Sequence, residues 1–306
     1  MSCFYLMFIG ENMCELKIGC STLFFWEYSI EIICDIFKDM NLNCMEFFPE
    51  NPEFWERRND LDYICSLKKE LKHFNLILHA PTIELNPSST NDYVHEASIK
   101  ETLWSINLAK LYGARYITIH PGKRPTKRPP RKQEYDRFYR YLDEVLDYAK
   151  KNNITLCLEN LPKKINYICY SPQEMGEVLN KYNNKYDDPN NDKYKKNEKN
   201  NDLNLKMTLD FAHAKEEAQN FVDRLNQYIK NIHISGVVNG KDHYPLELSQ
   251  IDFSKPVNDL VYKYNYKNCF NLEIDDKNCK IRSKNEKIEF IIKEAEYLEN
   301  LINKNK

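Results

Sequence analysis

Histidine and carboxylate side chains stand at the ends of short apolar runs along this chain. His79 follows LIL, His120 follows ITI and Glu159 follows LCL, while TLDFAHA, NIHISG, KDHYPL and FNLEI add further groups of the same kinds. The full set is His79, His120, Glu159, Asp210, His213, His233, His243 and Glu273. Imidazole and carboxylate ligands together are typical of Zn²⁺ or Mn²⁺, because Mg²⁺ and Ca²⁺ take mainly oxygen ligands. The residue types therefore predict a divalent-metal site.

Each of these residues has a structural explanation when it is taken alone. A single histidine at a strand end is usually a hydrogen-bonded part of the structure, and a single glutamate is usually solvated. Several carboxylates that converge on one place would repel one another unless a cation neutralised their charge. The set as a whole therefore favours metal binding over a structural role.

The apolar runs that carry these residues have the pattern of strands in a parallel barrel. Short β-rich runs alternate with longer stretches of helical periodicity, which indicates parallel strands joined by crossover helices. The candidate strands are Lys17–Cys20, Cys44–Phe48, Leu76–His79, Tyr116–His120, Thr155–Glu159, Met207–Asp210, Asn231–Ser235 and Phe270–Glu273. The candidate helices include Tyr28–Met40, Glu96–Leu111, Tyr135–Lys150, Glu216–Ile229 and Glu286–Leu301. We therefore predict an α/β fold, a (β/α)₈ TIM barrel, in which the strand ends meet at the C-terminal face.

The length of 306 residues suits one such barrel, and no linker divides the chain. We predict a single domain over residues 13–306 and an N-terminal extension over residues 1–12, since Met13 could be the true start. Residues 183–204 are rich in Asn and Lys and almost free of large aliphatic side chains. Because such a segment buries too little apolar surface to fold, we predict a disordered insertion before the sixth strand.

The composition is that of a soluble protein without a dominant charge. A formal net charge of −2 gives no support to nucleic acid as the main partner, although a local basic patch is compatible with that total. The ten cysteines form no C-x-x-C pair. Cys34, Cys65 and Cys157 lie in apolar runs, so we predict buried free thiols in a reducing compartment. No run is long enough to span a membrane, and the apolar start lacks a basic signal region, so we expect a cytoplasmic protein.

The ordered motifs HAP, HPG, LEN, LDFAH, HISG and LEI resemble those of the xylose isomerase-like barrel superfamily. That superfamily includes the endonuclease IV repair enzymes and many sugar isomerases and epimerases. The resemblance covers about Lys17 to Leu301. The runs STLFFWEY, MEFFPENPEFW and IELNPSS look like an uncharacterised archaeal branch of it.

The resemblance implies one to three ions of Zn²⁺ or Mn²⁺. A central metal, as in the single-metal isomerases and epimerases, would be held by Glu159, Asp210, His233 and Glu273. The endonuclease IV pattern adds a second metal on His79 and His120, with Glu159 as the bridge.

A third metal in the endonuclease IV pattern would bind His213, His243 and an aspartate two residues before that second histidine. Lys241 stands at this position. Asp242 is adjacent, but in an extended loop its side chain would point the opposite way. We therefore expect the third site to lack its aspartate, with Lys241 as a cation in the place of the metal.

A basic loop, PGKRPTKRPPRK, follows His120 directly. It is either a solvated loop stiffened by prolines or an anion-binding loop over the metal site, in which Lys123, Arg124 and Arg128 would bind a phosphate of the substrate. Near the ends of the first two strands, Trp26 and Glu46 could line the same pocket. Core packing is the alternative for Trp26, and a solvated or capped carboxylate is the alternative for Glu46.

These residues support three functions. The first is an isomerase or epimerase of a sugar or sugar phosphate, in which metal would polarise a carbonyl and Glu159 and Glu273 would move a proton. The second is an endonuclease IV-type phosphodiesterase on abasic DNA. The histidines outside the central set favour it, whereas Lys241, the neutral charge and Thr82, which replaces that family's tyrosine after HAP, count against it. The third is a metal-dependent binding protein without catalysis. The complete central set favours the isomerase.

Overall fold

The computed structural model describes residues 17–128, 131–187, 204–281 and 283–303. The extension predicted at residues 1–12 lies outside these ranges. So do residues 188–203 of the polar segment predicted as an insertion. The first residues of that segment belong to a helix that ends at Asp187.

Eight parallel strands close into a barrel, and a two-stranded antiparallel hairpin precedes the last of them in sequence. The strands are β1 (Lys17–Ser21), β2 (Cys44–Phe47), β3 (Asn75–His79), β4 (Tyr116–Ile119), β5 (Thr155–Glu159), β6 (Lys206–Asp210), β7 (Ile229–Ile234), the hairpin strands β8 (Gly236–Val238) and β9 (Lys241–Tyr244), and β10 (Cys269–Leu272). The barrel closes where β10 pairs with β1, with Cys20 opposite Leu272. The predicted (β/α)₈ barrel is confirmed. The hairpin was not predicted.

The helices cover the outside of the barrel. They are α1 (Ile30–Asp39), α2 (Pro52–Arg57), α3 (Leu61–Leu71), α4 (Asp92–Tyr112), α5 (Lys132–Lys151), α6 (Pro172–Asp187), α7 (Phe211–Ala214), α8 (Ala218–Leu225), α9 (Ser254–Asn258) and α10 (Lys284–Asn303). Side chains cap several first turns, as where Asn51 accepts from Phe54 N and Asp60 accepts from Tyr63 N. Gly113, with φ +80°, ends α4 in the left-handed conformation that favours glycine.

The barrel interior contains a connected layer of buried polar side chains. Thr118 Oγ1 donates to Glu46 Oε1 at 2.9 Å, and Asn231 Nδ2 donates to Thr118 Oγ1 at 3.1 Å. Asn271 Nδ2 donates to Asn231 Oδ1 at 2.8 Å. Asn231 precedes His233 by two positions on β7, so both side chains point to the same face of the strand. This layer therefore supports the strand-end residues and fixes the position of Glu46.

The described cysteines are all free thiols. Cys34 and Cys157 are buried, as predicted, but Cys65 is exposed. The prediction was wrong for Cys65 because α3 turns Ile64 and Leu67 toward the core and Cys65 away from it. In the described part of the chain, no helix combines the length and the apolar character that a membrane crossing requires.

Candidate metal centre

The barrel brings all the histidines and carboxylates predicted as metal ligands together at its C-terminal face. Their potential ligand atoms form three groups, and within each group these atoms lie within 4.8 Å of one another. The β3–β4 group is His79, His120 and Glu159; the central group is Glu159, Asp210, His233 and Glu273; the hairpin group is Asp210, His213 and His243. Glu159 and Asp210 each belong to two groups, so the three groups are contiguous.

Glu159 presents a different oxygen to each of its neighbouring groups. Its Oε2 lies 2.9 Å from His120 Nε2 and 3.5 Å from His79 Nε2. Its Oε1 lies 3.3 Å from His233 Nδ1 and 3.4 Å from His213 Nδ1. Burial alone would raise the pKa of Glu159, but the positive charges of His233 and His120 hold that pKa well below its usual range. Glu159 therefore lies between the β3–β4 group and the central group, with one oxygen turned to each.

His233 is held between carboxylates on both of its ring nitrogens. Its Nε2 lies 2.6 Å from Glu46 Oε2, and its Nδ1 lies 2.8 Å from Glu273 Oε2. Burial would lower the pKa of His233, but the negative charges of Glu273, Glu46 and Glu159 raise it well above the ordinary value. Glu46 thus contacts Nε2 of His233, and Nδ1 of the same ring points to the other residues of the central group.

Glu46 does not line the pocket as an exposed substrate contact would. It is fully buried inside the barrel, where Thr118 and Asn231 donate to it. It contacts His233 from behind rather than the pocket, a position that the strand pattern alone did not indicate. Trp26 is half-buried and lines a neighbouring cavity with Asp275 and Lys277, so it too lies apart from the three groups.

Backbone carbonyls orient the other histidines. Nδ1 lies 2.8 Å from Ala80 O in His79, 3.0 Å from Asn160 O in His213 and 2.9 Å from Glu273 O in His243. A carbonyl accepts but cannot donate, so each Nδ1 carries a proton and Nε2 is the nitrogen through which each ring could hold a metal ion. A hydrogen bond on the second ring nitrogen is usual for a metal-ligating histidine.

A carboxylate that the alternation rule did not predict, that of Asp242, lies beside the hairpin group. Asp242 Oδ2 lies 3.8 Å from His213 Nε2, and Asp242 and His243 line the same cavity. The expectation that Asp242 points away was wrong, because His243 has φ +61° and the strict alternation of an extended strand is broken there. Lys241 is exposed and pairs with Val238 across the hairpin.

Two further buried carboxylate oxygens are available to a cation. Among the described residues Asp210 Oδ2 accepts no hydrogen bond, and the 2.8 Å contact of Glu273 Oε2 with His233 Nδ1 lacks hydrogen-bond geometry. Burial raises the pKa of Asp210 to about 6, although His213 and His243 act in the opposite direction. Buried polar atoms of this kind are costly unless a hydrogen bond or an ion satisfies them. The donor set and its unsatisfied oxygens therefore fit divalent metal.

The three groups open into a cavity of about 420 Å³, within the usual size range of small-molecule sites. Lys123, Lys164 and Tyr167 line it on one side. Of the basic-loop residues predicted to bind substrate, only Lys123 lies there. Arg124 and Arg128 line a second cavity, so the expectation that they lie over the metal site was wrong.

Glu50 is a further residue of the site region that the sequence did not single out. It is buried, and its carboxylate accepts from Thr82 N at 2.8 Å and from Ile83 N at 2.9 Å. These bonds hold the turn that follows His79. The run FFPENP places a carboxylate just after β2, which is the one sequence signal for it.

Comparisons with known proteins agree with this architecture. A family model described as a xylose isomerase-like TIM barrel matches residues 34–301. The chain is 53% identical over 289 residues to the uncharacterized protein MJ1188 of Methanocaldococcus jannaschii, covering 94% of this chain and 100% of that protein. A probable endonuclease 4 of Sulfurihydrogenibium sp. is 24% identical over 160 residues, 51% of this chain and 56% of that protein. The structure of an L-ribulose 3-epimerase shares the fold, with a TM-score of 0.72 at 16% identity over 94% of this chain and 95% of that chain.

Proposed function

Because this chain belongs to the xylose isomerase-like TIM barrel family, we propose that it is a metal-dependent hydrolase of phosphate esters. The first substrate to test is the phosphodiester at an abasic site in DNA, which is the substrate class of the endonuclease IV enzymes in this superfamily. The proposal draws on the site geometry and on the sequence similarity to proteins described as probable endonuclease 4.

The position of Glu159 between the β3–β4 group and the central group is the observation that carries the proposal. An isomerase with a single metal needs only the central group, and it has no use for two histidines on the second oxygen of Glu159. His79 and His120 both direct Nε2 at that oxygen. Sites with two metals about 4 Å apart are typical of enzymes that cleave phosphate esters.

Asp242 supports the same function. The missing aspartate of the third site favoured an isomerase in the sequence, but Asp242 provides a carboxylate 3.8 Å from His213 Nε2. Asp242 therefore adds a second carboxylate beside the hairpin group of Asp210, His213 and His243. This donor set suits Zn²⁺ or Mn²⁺.

The residues around the ligands have separate tasks. Divalent ions, when bound, supply charge neutralisation at phosphoryl oxygens and lower the pKa of water. Glu46 keeps His233 in one orientation, and Glu50 keeps the turn after His79 in place. Lys123 and Lys164 present positive charge at the wall of the cavity, where a substrate phosphate would lie. Phe48 and Leu161 contribute apolar surface that limits water at the buried ligands.

A sugar isomerase or epimerase is the second candidate, and the completeness of the central group favours it. In that reaction Glu159 and Glu273 would transfer a proton next to a polarised carbonyl. A small phosphorylated or sugar-like substrate would fit the cavity of about 420 Å³. The isomerase function assigns no role to the β3–β4 group or to the hairpin group.

Cleavage of a DNA strand at an abasic site tests the proposal. Protein loaded with Zn²⁺ or Mn²⁺ is incubated with a labelled duplex that contains one abasic site, and bis(p-nitrophenyl) phosphate serves as a small diester. We expect cleavage that Glu159→Gln reduces by about 100-fold or more. Glu134→Gln is the matched control, because Glu134 is also buried but lies at the start of α5 beside Arg131.

The contrary outcome is equally defined. If neither diester is cleaved, while solvent deuterium enters a ketose or its phosphate, the hydrolase proposal is wrong and the second candidate is supported. Cleavage that survives in Glu159→Gln would also contradict it. Metal binding without either reaction would indicate the non-catalytic binding protein.

A further inference from the structure

A second cavity of about 580 Å³ lies beside the metal-site cavity. Its walls come from the loop after β4, from α5, from the loop after β5 and from α6. Tyr167 lines both cavities. The two loops are joined where Arg124 N donates to Asn166 O at 2.6 Å. The second cavity is therefore adjacent to the metal-site cavity.

Arg124 is a buried cation in the wall of this cavity, with 6% of its surface exposed. Its guanidinium donates to two backbone carbonyl oxygens, those of Arg128 and Ile165. In the described ranges no carboxylate forms an ion pair with it. Buried charges are normally paired, and a guanidinium has five N–H donors, so Arg124 has capacity for an anion.

The carboxylates at the cavity are engaged with other groups. Glu174 accepts from Tyr135 Oη at 3.1 Å and from Cys169 N at 2.8 Å. Burial raises the pKa of Glu174, although the hydrogen bonds from Tyr135 and Cys169 act in the opposite direction. Glu177 is exposed and accepts from Gln173 Nε2 at 3.2 Å. The charge in the cavity wall that is available to a ligand is therefore the positive charge of Arg124.

Two more cations and several tyrosines complete the lining. Lys127 and Arg128 are exposed at the cavity. Its tyrosines are Tyr135, Tyr139, Tyr167 and Tyr170. A buried guanidinium with flanking cations suits a phosphate group, and tyrosine rings suit a planar aromatic ring.

We propose that the second cavity binds a mononucleotide, with the phosphate on Arg124 and the base against the tyrosines. The proposal goes beyond the reaction at the metal groups and does not depend on it. Arg124 is the chain neighbour of Lys123, which lines the metal-site cavity. A ligand on Arg124 would therefore hold the loop that positions Lys123.

Calorimetric titration of the metal-free protein with AMP tests the proposal. EDTA treatment removes metal, so phosphate cannot bind there through an ion. We expect AMP to bind and adenosine to bind at least about tenfold more weakly, because the phosphate contact is charge-assisted. Arg124→Met should lower the affinity for AMP about tenfold or more. Arg131→Met is the matched control, since Arg131 is on the same loop, pairs with Glu134 and does not line the cavity.

A second variant covers the case in which loss of the buried Arg124 disturbs the fold. Arg128 is exposed, so the Arg128→Met variant should fold normally. Because it loses one cation at the cavity, its affinity for AMP should fall about threefold. The proposal is overturned if metal-free protein does not bind AMP at millimolar concentration. It is also overturned if Arg124→Met binds AMP normally, or if Glu159→Gln abolishes AMP binding, which would place the ligand at the metal groups. None of these outcomes bears on diester cleavage, so the two proposals fail separately.

Discussion

Glu46 Oε2 lies 2.6 Å from His233 Nε2, with both side chains fully buried. The two residues come from β2 and β7, on different sides of the barrel. The contact fixes the imidazole so that Nδ1 meets Glu159 and Glu273. Glu46 therefore contacts a member of the central group without belonging to that group.

The first prediction concerns this contact. Glu46→Gln removes the charge behind His233 at nearly constant volume, so we expect metal affinity to fall about 10- to 100-fold. Competition with a chromophoric chelator measures the affinity. Glu294→Gln is the control, because Glu294 is a buried carboxylate of α10 outside the three groups. Equal losses in the two variants would contradict the assigned role.

The second prediction concerns Glu159, the carboxylate proposed to bridge two metal ions. Because Glu159 belongs to two groups, Glu159→Gln should lose more metal per chain than His120→Ala, which affects the β3–β4 group alone. Elemental analysis after dialysis against a weak chelator gives the metal count. If the two variants retain the same amount of metal, Glu159 does not bridge.

The third prediction separates Asp242 from Lys241. Asp242→Ala removes a carboxylate 3.8 Å from His213 Nε2 and should lower the metal content by about one ion per chain. Lys241→Ala removes an exposed cation and should leave the content unchanged. A rise in the metal content of the Lys241 variant would instead show that the lysine occupies the place of an ion at the hairpin group.

The fourth prediction concerns stability and pH. Glu294 Oε2 accepts from Leu246 N at 2.6 Å, and burial, partly offset by that hydrogen bond, raises the pKa of Glu294 to about 7 from 4.5. A carboxyl group whose folded pKa is raised stabilises the fold fully below its unfolded pKa, and this contribution is lost as pH rises through the folded pKa. Between pH 5 and 8, the free energy of unfolding should fall by on the order of 2 kcal/mol more in the wild type than in Glu294→Gln.

Urea unfolding of metal-free protein at both pH values measures this difference. Other titrating groups are common to the two proteins and cancel in the comparison. Parallel pH profiles would show that Glu294 is ionised in the folded protein throughout this range.

The strand ends could be located from sequence because a β/α barrel places them all on one face. Thr155–Glu159 was predicted with the bounds that β5 has in the structure. Apolar runs of strand length are a local signal, and Glu159 follows directly from where such a run stops. The same reasoning located His79 and Asp210.

The direction of side chains in the loops could not be predicted from sequence in the same way. Alternation holds only for extended backbone, and the positive φ of His243 breaks it beside Asp242. Lys123 and Arg124 are neighbours in sequence, yet they line different cavities, because the loop after β4 is bonded to the loop after β5 through Asn166.

The sequence by itself determined the barrel and the set of residues that meet at its face, since strand length, periodicity and strand ends are local properties of the chain. The tertiary structure decided how that set divides. It placed the two oxygens of Glu159 toward different groups, and it placed Glu46 behind His233 rather than in the pocket. These relationships depend on distances between side chains of separate strands. Closure of the barrel and packing of its polar interior set those distances, and no local pattern contains them.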